Sequence, residues 1–233
     1  MNMITRGTIE FLAVLLGLSA SLWIDNTVKE NEHKVQNKKI LNRLYHNLIS
    51  DSTDGMWNIK AYERGIKGST NVIKWCDSNP SLAMINDSIE KDISAMMIAT
   101  IFVHNEEEYI ALKNSGRTDL ISNEELVIKL HKYYTNINFI KTLDKFQNDF
   151  VQNNILPFLS NYADENLYDK QIPENLIYKN FPKMNLYELP DIKKLRFFAS
   201  NMLTWQKYTK IWYEGQVKRV SEIRQLLREE LDL

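Results

Sequence analysis

Residues 8–24, TIEFLAVLLGLSASLWI, form an apolar stretch broken by one carboxylate, Glu10, and a chain carrying such a stretch must bury it in its own core or lay it in a bilayer. The stretch runs to roughly 16 to 18 residues, close to the lower bound for a spanning helix. At 3.6 residues per turn, Glu10, Ala13, Gly17, Ser21 with Ala20, and Ile24 share one side, while Leu12, Leu15, Leu16, Leu22 and Trp23 cover the rest. In lipid, small residues at this spacing let two backbones approach, and a polar group among them prefers a protein partner to hydrocarbon. Glu10, Ala13, Gly17 and Ser21 are therefore a candidate membrane-helix association face. The plainer alternative is that small residues are common in spans and that Glu10 reaches the interface.

Trp23 suits the far interface, with Asp25 and Asn26 beyond it in water. Arg6 precedes the span and Asp25 opens the flank after it, a positive-inside bias that sets the amino terminus in the cytoplasm and the body on the extracytoplasmic, periplasmic side. A cleaved signal peptide is the rival reading, opposed by Glu10 inside the apolar core and by the lack of a clean small-x-small site.

The pattern Glu10, Gly17, Leu22, Ile24, Asp25 and Asn26 resembles the amino-terminal span of a domain-of-unknown-function family of small bacterial single-span membrane proteins, of Bacteroidetes type. The chain departs from that pattern at Trp23 and Thr27, where the family carries Gln and Trp. A second stretch is also similar: Tyr109, Leu112, Ser115, Gly116, Leu120, Ile121, Asn123, Leu126, Leu130, Tyr133 and Tyr134 match the family's Tyr-x-x-Leu-x-x-Ser-Gly hinge and the helix after it. The resemblance implies an architecture, an αα-hairpin turning at glycine, and no activity.

Net charge is −1 over 233 residues, so no global field draws nucleic acid, and no nucleic-acid partner is expected. Seven Gly and five Pro are few for this length and favour long helices. From residue 27 to 77 there is no proline, and Leu41, Leu44, Tyr45, Leu48, Ile59, Tyr62, Ile66 and Ile73 recur at helical intervals. This predicts one helix continuous with the span, with a solvated stalk over 28–39 and with Gly55, Gly65 and Gly68 as places for a bend. Asp77-Ser78-Asn79-Pro80 stops it.

A second helix is expected after Asp87 or Ser88, with Ile89, Ile93, Met96, Met97, Thr100 and Ile101 on its buried side and a continuation through Glu106, Glu107 and Glu108 to Ser115. Asn86-Asp87-Ser88 also fits a glycosylation acceptor, but capping explains it better in a bacterial chain. Gly116 is expected as a left-handed cap. Ser122 to Glu125 reads as a capping box opening a third helix towards Phe150, ended or kinked at Pro157. Residues 160–190 read as an irregular connection, either a cap on the bundle or a partner-binding loop. A last helix runs from about Asp191 to about Glu230.

The expected fold is all-α: an N-terminal transmembrane helix (1–26), then an antiparallel bundle of about four long helices (27–233), first and last adjacent. No cofactor, metal site or catalytic set is expected. Glu30-x-x-His33 has a metal-bundle spacing, but no second copy exists and it lies in the polar stalk. Cys76 lacks a histidine partner and the acidic run 106–108 reads as a solvated face. Trp205, Tyr208, Trp212 and Tyr213 are candidate interface or ligand aromatics, with core packing as the alternative. Function is expected to be that of a membrane-anchored structural or interaction protein, not an enzyme, whose partners are the bilayer and a second copy or another membrane protein. The alternative is an extracytoplasmic ligand-binding bundle signalling through a partner, since seven residues before the span leave no room for an output domain.

Overall fold

The computed structural model describes residues 3–116, 118, 121–163 and 185–231, with side chains from residue 11 onward. Among these the chain is helical, with one isolated bridge, Ala163 to Leu186, and no strand. Leu120 of the family-like hinge, the Glu10 side chain and most of the expected 160–190 connection lie outside the described residues.

Helix α1 spans Met3–Asp77 without interruption, on the order of 110 Å at 1.5 Å per residue. It stops as expected: Asn79 takes φ 56°, a left-handed conformation that asparagine tolerates, and Pro80 follows. None of the three glycines breaks it. They are close approaches instead, because a Cβ on Gly68 would lie 2.7 Å from the Asp92 backbone oxygen and one on Gly65 2.6 Å from the Gln206 amide nitrogen. Helix α1 thus touches its neighbours nearly backbone to side chain, which any larger residue would prevent.

Helix α2 covers Asp87–Met96, α3 Glu107–Asn114, α4 Glu124–Phe150, α5 Leu156–Leu159 and α6 Ile192–Leu231. The largest packing contact is α1 on α6, and α6 also packs on α4. The expected second helix is thus corrected: it is two short helices joined by an extended stretch, so the fourth position of the bundle is filled by α2, residues 97–106 and α3 in series. Burial over the stretch alternates, with Ile98, Thr100 and Phe102 inside and Ile101 and Val103 outside, the period of an extended chain. Ile101, expected inside, is 67% exposed.

Two caps shift by one residue. Asn86, not Asp87 or Ser88, caps α2 by accepting from the Ser88 and Ile89 amides. Asn123, not Ser122, caps α4 through the Leu126 amide, because Ser122 gives both its N–H and its hydroxyl to Glu230 on α6, at 2.8 Å each. Gly116 does take the left-handed conformation, φ 65°, after α3. Pro157 does not end the helical run at once: a wide π turn over Val151–Ile155 carries α4 into α5, which holds Pro157 in its first turn.

The core has two apolar clusters. One joins Leu41, Leu44 and Leu48 to Leu126, Tyr133, Ile137, Val220, Ile223 and Leu227; the other joins Val72 and Cys76 to Ile93, Ile155, Leu159, Leu195 and Met202. Between them every long helix contributes a buried polar residue: Ser69 from α1, Asp144 and Gln147 from α4, Gln206 and Thr209 from α6. Residues 11–36 of α1 lie outside this body and are exposed all round; burial begins at Asn37. The exposed helix expected over 28–39 thus ends at residue 36, and packing begins at Asn37.

Candidate functional site

Among the described residues, a dense set of buried polar groups surrounds the extended stretch 97–106. Such a segment inside a bundle has no helix to satisfy its backbone, so side chains must do it. Gln206 donates to the Met96 and Ile98 carbonyls at 2.9 and 3.1 Å while its own oxygen accepts from Ser69 at 2.9 Å. Asn148 donates to the Thr100 carbonyl at 2.9 Å. The Phe102 amide donates to Asp144 at 3.0 Å, the Val103 amide to Asp54 at 3.0 Å and the Asn105 amide to Asp51 at 3.2 Å. Three carboxylates on two helices thus replace the ladder of a neighbouring strand.

Phenol hydroxyls occupy the remaining lone pairs. Tyr213 donates to Asp144 at 2.7 Å, Tyr62 to Asp144 at 3.2 Å and Tyr133 to Asp51 at 2.8 Å. Asp51 and Asp144 are each 2% exposed. Burial pushes both carboxyls up to about 6, against the opposing pull of the Tyr133 hydroxyl and Asn105 amide on Asp51 and of the Tyr213 hydroxyl and Phe102 amide on Asp144. Burial also raises Asp54. At this exposure no substrate reaches either oxygen, so the network pins the fold. Nothing in periodicity names it, yet it leaves a trace in the sequence: Asp51, Asp144, Gln147 and Gln206 sit where the apolar register of their helices calls for a hydrophobe.

Of the four aromatics singled out on α6, the structure separates one from three. Tyr213 is fully buried on Asp144. Trp205, Tyr208 and Trp212 lie on the outer groove between α6 and α4, where Trp205 meets Phe146 at 4.7 Å, Trp212 meets Phe139 at 4.6 Å and Tyr208 sits between the two tryptophans. Tyr208 and Phe146 remain 42% and 46% exposed. These five rings form a surface strip rather than a cage, because they run along two parallel helices without enclosing a volume.

Ala13, Gly17 and Ser21, expected on an association face, lie on the bare part of α1, and a Cβ at Gly17 would meet nothing within 4 Å. Residues 11 onward in α1 begin the one helix long and apolar enough to cross a membrane among the described residues. The histidines are dispersed: His131 shares a 3.0 Å hydrogen bond with the Tyr109 hydroxyl, and His104, held below its ordinary value by burial, is 3.5 Å from Glu106. Among the described residues no group of three or more His, Cys, Asp or Glu could hold a metal. Burial pushes the Cys76 thiol up to about 11, so it stays protonated. In the acidic run, Glu108 is not merely solvated: it pairs with Arg43 at 2.6 Å and ties α3 to α1. Comparison with protein-family models, curated proteins and solved structures finds no match.

Proposed function

We propose that this chain is a membrane-anchored structural and interaction protein: residues 8–24 span the bilayer, the amino terminus is cytoplasmic, and the helical body stands extracytoplasmically on the stalk. The observation that carries this reading is that α1 is bare and apolar over residues 11–24 and then enters the packed core as the same helix. Anchor and body share one stiff element, so a force or displacement at one end is delivered to the other. The filled interface along α1, where Gly65 and Gly68 have no room for a methyl group, favours a framework over a ligand chamber. The strip of Phe139, Phe146, Trp205, Tyr208 and Trp212 is the face of the body best suited to a protein partner, since exposed aromatics of this kind dominate binding energy at interfaces.

Fractionation tests it. The full chain should remain with membranes through an alkaline carbonate wash, added protease should digest the body only from the extracytoplasmic side, and deletion of residues 1–26 should release a folded body. Release of the intact chain by carbonate would overturn the anchor. Digestion from the cytoplasmic side would overturn the orientation.

The ligand-binding alternative has one feature in its favour, an open cleft of about 400 Å³ beside the π turn, lined by Asn153, Asn154, Asn161, Tyr162 and Lys194. A thermal-shift screen with metabolite mixtures addresses it, because a ligand of the native state must raise the melting temperature. No shift in any mixture counts against it.

A further inference from the structure

At the end of the bundle nearest the stalk, two guanidiniums of α6 close on one phenol of α1. Arg228 donates through Nε to the Tyr45 hydroxyl oxygen at 3.0 Å and Arg224 through Nη2 at 3.3 Å, and both lie against the ring, 5.7 and 5.1 Å from its centre. Tyr45 is buried beneath them while Arg228 is exposed, so the cluster opens to solvent. Other cations held against the body meet carboxylates: Arg43 meets Glu108, Arg196 meets Asp77 and Lys129 meets Glu222. Here, among the described residues, neither guanidinium has a carboxylate partner. Two like charges are instead held side by side on one oxygen, in a chain whose net charge is only −1. Their repulsion costs free energy that an anion between them would offset.

The same cluster has donors left over. Arg224 Nε is buried and has no acceptor among the described residues. The Tyr45 hydroxyl, whose oxygen already takes two N–H groups, gives its own proton to none of them. Buried donors of this kind call for a partner. The local field is positive as well, since the hydrogen bonds from Arg224 and then Arg228 hold the phenol below its ordinary value.

We propose that Tyr45, Arg224 and Arg228 form a binding site for a soluble phosphate, inorganic or monoester. Charge and valence select this class. A phosphate monoester carries roughly −1.5 to −2 charges at neutral pH and three acceptor oxygens, which match two cations and three donor groups. A carboxylate brings one charge and two oxygens, and a single guanidinium satisfies it. The planar fork of arginine suits such an oxyanion better than the point charge of lysine. A lipid headgroup offers phosphate too, but Tyr45 stands about 30 Å past Ile24 along α1, beyond the headgroup layer of a bilayer spanned by residues 8–24. Only this choice of source rests on the anchor reading; the site itself does not.

The experiment titrates inorganic phosphate against the full chain in neutral detergent, at constant ionic strength of about 0.1 M set with chloride, and follows the melting temperature. Phosphate stabilises folded proteins in general by exclusion from their surface, an effect without saturation, whereas a site adds a saturating component. That component should be present and should vanish when Arg224→Gln is combined with Arg228→Gln. Arg228→Gln alone removes an exposed side chain that folding does not require, and should weaken binding ten-fold or more. Lys207→Gln, which takes a positive charge from an exposed position further along α6, should leave the affinity within about two-fold. No saturating component, an equal one with acetate, or an affinity unchanged in Arg228→Gln overturns the site. The source is tested on the chain in vesicles. Phosphate should bind equally well in phosphatidylcholine and in phosphatidylglycerol, because at this salt a charged surface is screened over about 10 Å. A loss of five-fold or more in phosphatidylglycerol overturns the soluble source and assigns the cluster to a headgroup. A chain that carbonate washes from membranes, yet binds phosphate in detergent, loses the anchor and keeps the site.

Discussion

Helix α1 is one element in two settings, and the contrast between its bare part, residues 11–36, and its packed part from Asn37 to Asp77 explains most of the molecule. In the packed part, polar side chains are held by groups distant in the chain: Asp51 by Tyr133, Ser69 by Gln206, and Asn71 by Asp92 on α2. In the bare part the described polar contacts are local, from Thr27 back to the Trp23 carbonyl and from Lys29 to Asp25. Helical geometry is the same in both; what differs is where the side chains find partners. The packed part is specified by this chain, and the bare part by whatever lies outside it.

The comparison breaks first if the buried carboxylates are not what pins the packed part. Asp144→Ala leaves two phenol hydroxyls and the Phe102 amide unpaired inside the bundle. It should cost about 4 kcal/mol in thermal unfolding of the full chain in detergent, at about 1–3 kcal/mol for each stranded donor less some relaxation. Loss of under 1 kcal/mol would mean that water already serves these groups. Next comes the pair of glycines in opposite settings. Gly68→Val drives a side chain into the Asp92 carbonyl and should cost about 3 kcal/mol, whereas Gly17→Leu meets open space and should leave unfolding of the body unchanged within about 0.5 kcal/mol.

Acidity sharpens the same point. Asp51 and Asp144 titrate near 6 in the folded chain and near 3.8 once unfolded, so the folded state binds more protons between those values. Their ionisation is a cost at neutral pH that acidification removes: stability should rise, by about 2 kcal/mol, as pH falls from 7 to 5, and the gain should be complete by the time pH reaches the unfolded value. His104, held low by burial, acts in the opposite sense within this interval and offsets part of the gain, whereas Asp77, held below the usual carboxylate range by Arg196, and Glu222, held down by Lys129, do so only in more acidic solution. Asp51→Asn combined with Asp144→Asn should remove most of the rise between pH 7 and 5. A profile that falls across this interval in the unmodified chain would show that the hydrogen bonds to the ionised forms outweigh burial.

How much of this was legible beforehand follows from the range of the forces involved. The long first and last helices, the stop at Asn79-Pro80 and the left-handed Gly116 depend on local periodicity and backbone conformation, and they stand in the sequence. The break between Met96 and Glu107 does not, because Met96, Met97, Thr100 and Ile101 continue a helical spacing from Ile93 while Ile98, Thr100 and Phe102 make an extended one over the same residues. What decides is the set of acceptors and donors waiting on α1, α4 and α6, which are remote in the chain. Tyr213 separates from Trp205, Tyr208 and Trp212 for a similar reason: the four are within about two turns of one another, and only the position of Asp144 tells which one turns inward. Asp51, Asp144 and Gln206 carry the one usable trace, a polar residue where the stripe calls for an apolar one.

Smaller effects refine the boundary between the two settings. Asn123→Ala should destabilise the body by about 1 kcal/mol, the usual loss for a helix cap, because the Leu126 amide then lacks its acceptor. The last contrast lies in the bare part, where Lys29 and Asp25 pair at 2.7 Å across one turn with side chains 61% and 54% exposed. An exposed pair of this kind contributes little and is screened by salt. Lys29→Ala should leave the melting temperature of the body where it was, at low and at moderate ionic strength alike, since no side chain beyond residue 36 depends on it. A salt-dependent shift in the melting of the packed helices would show that the stalk and the body unfold as one unit, and the division of α1 at Asn37 would then be one of packing but not of cooperativity.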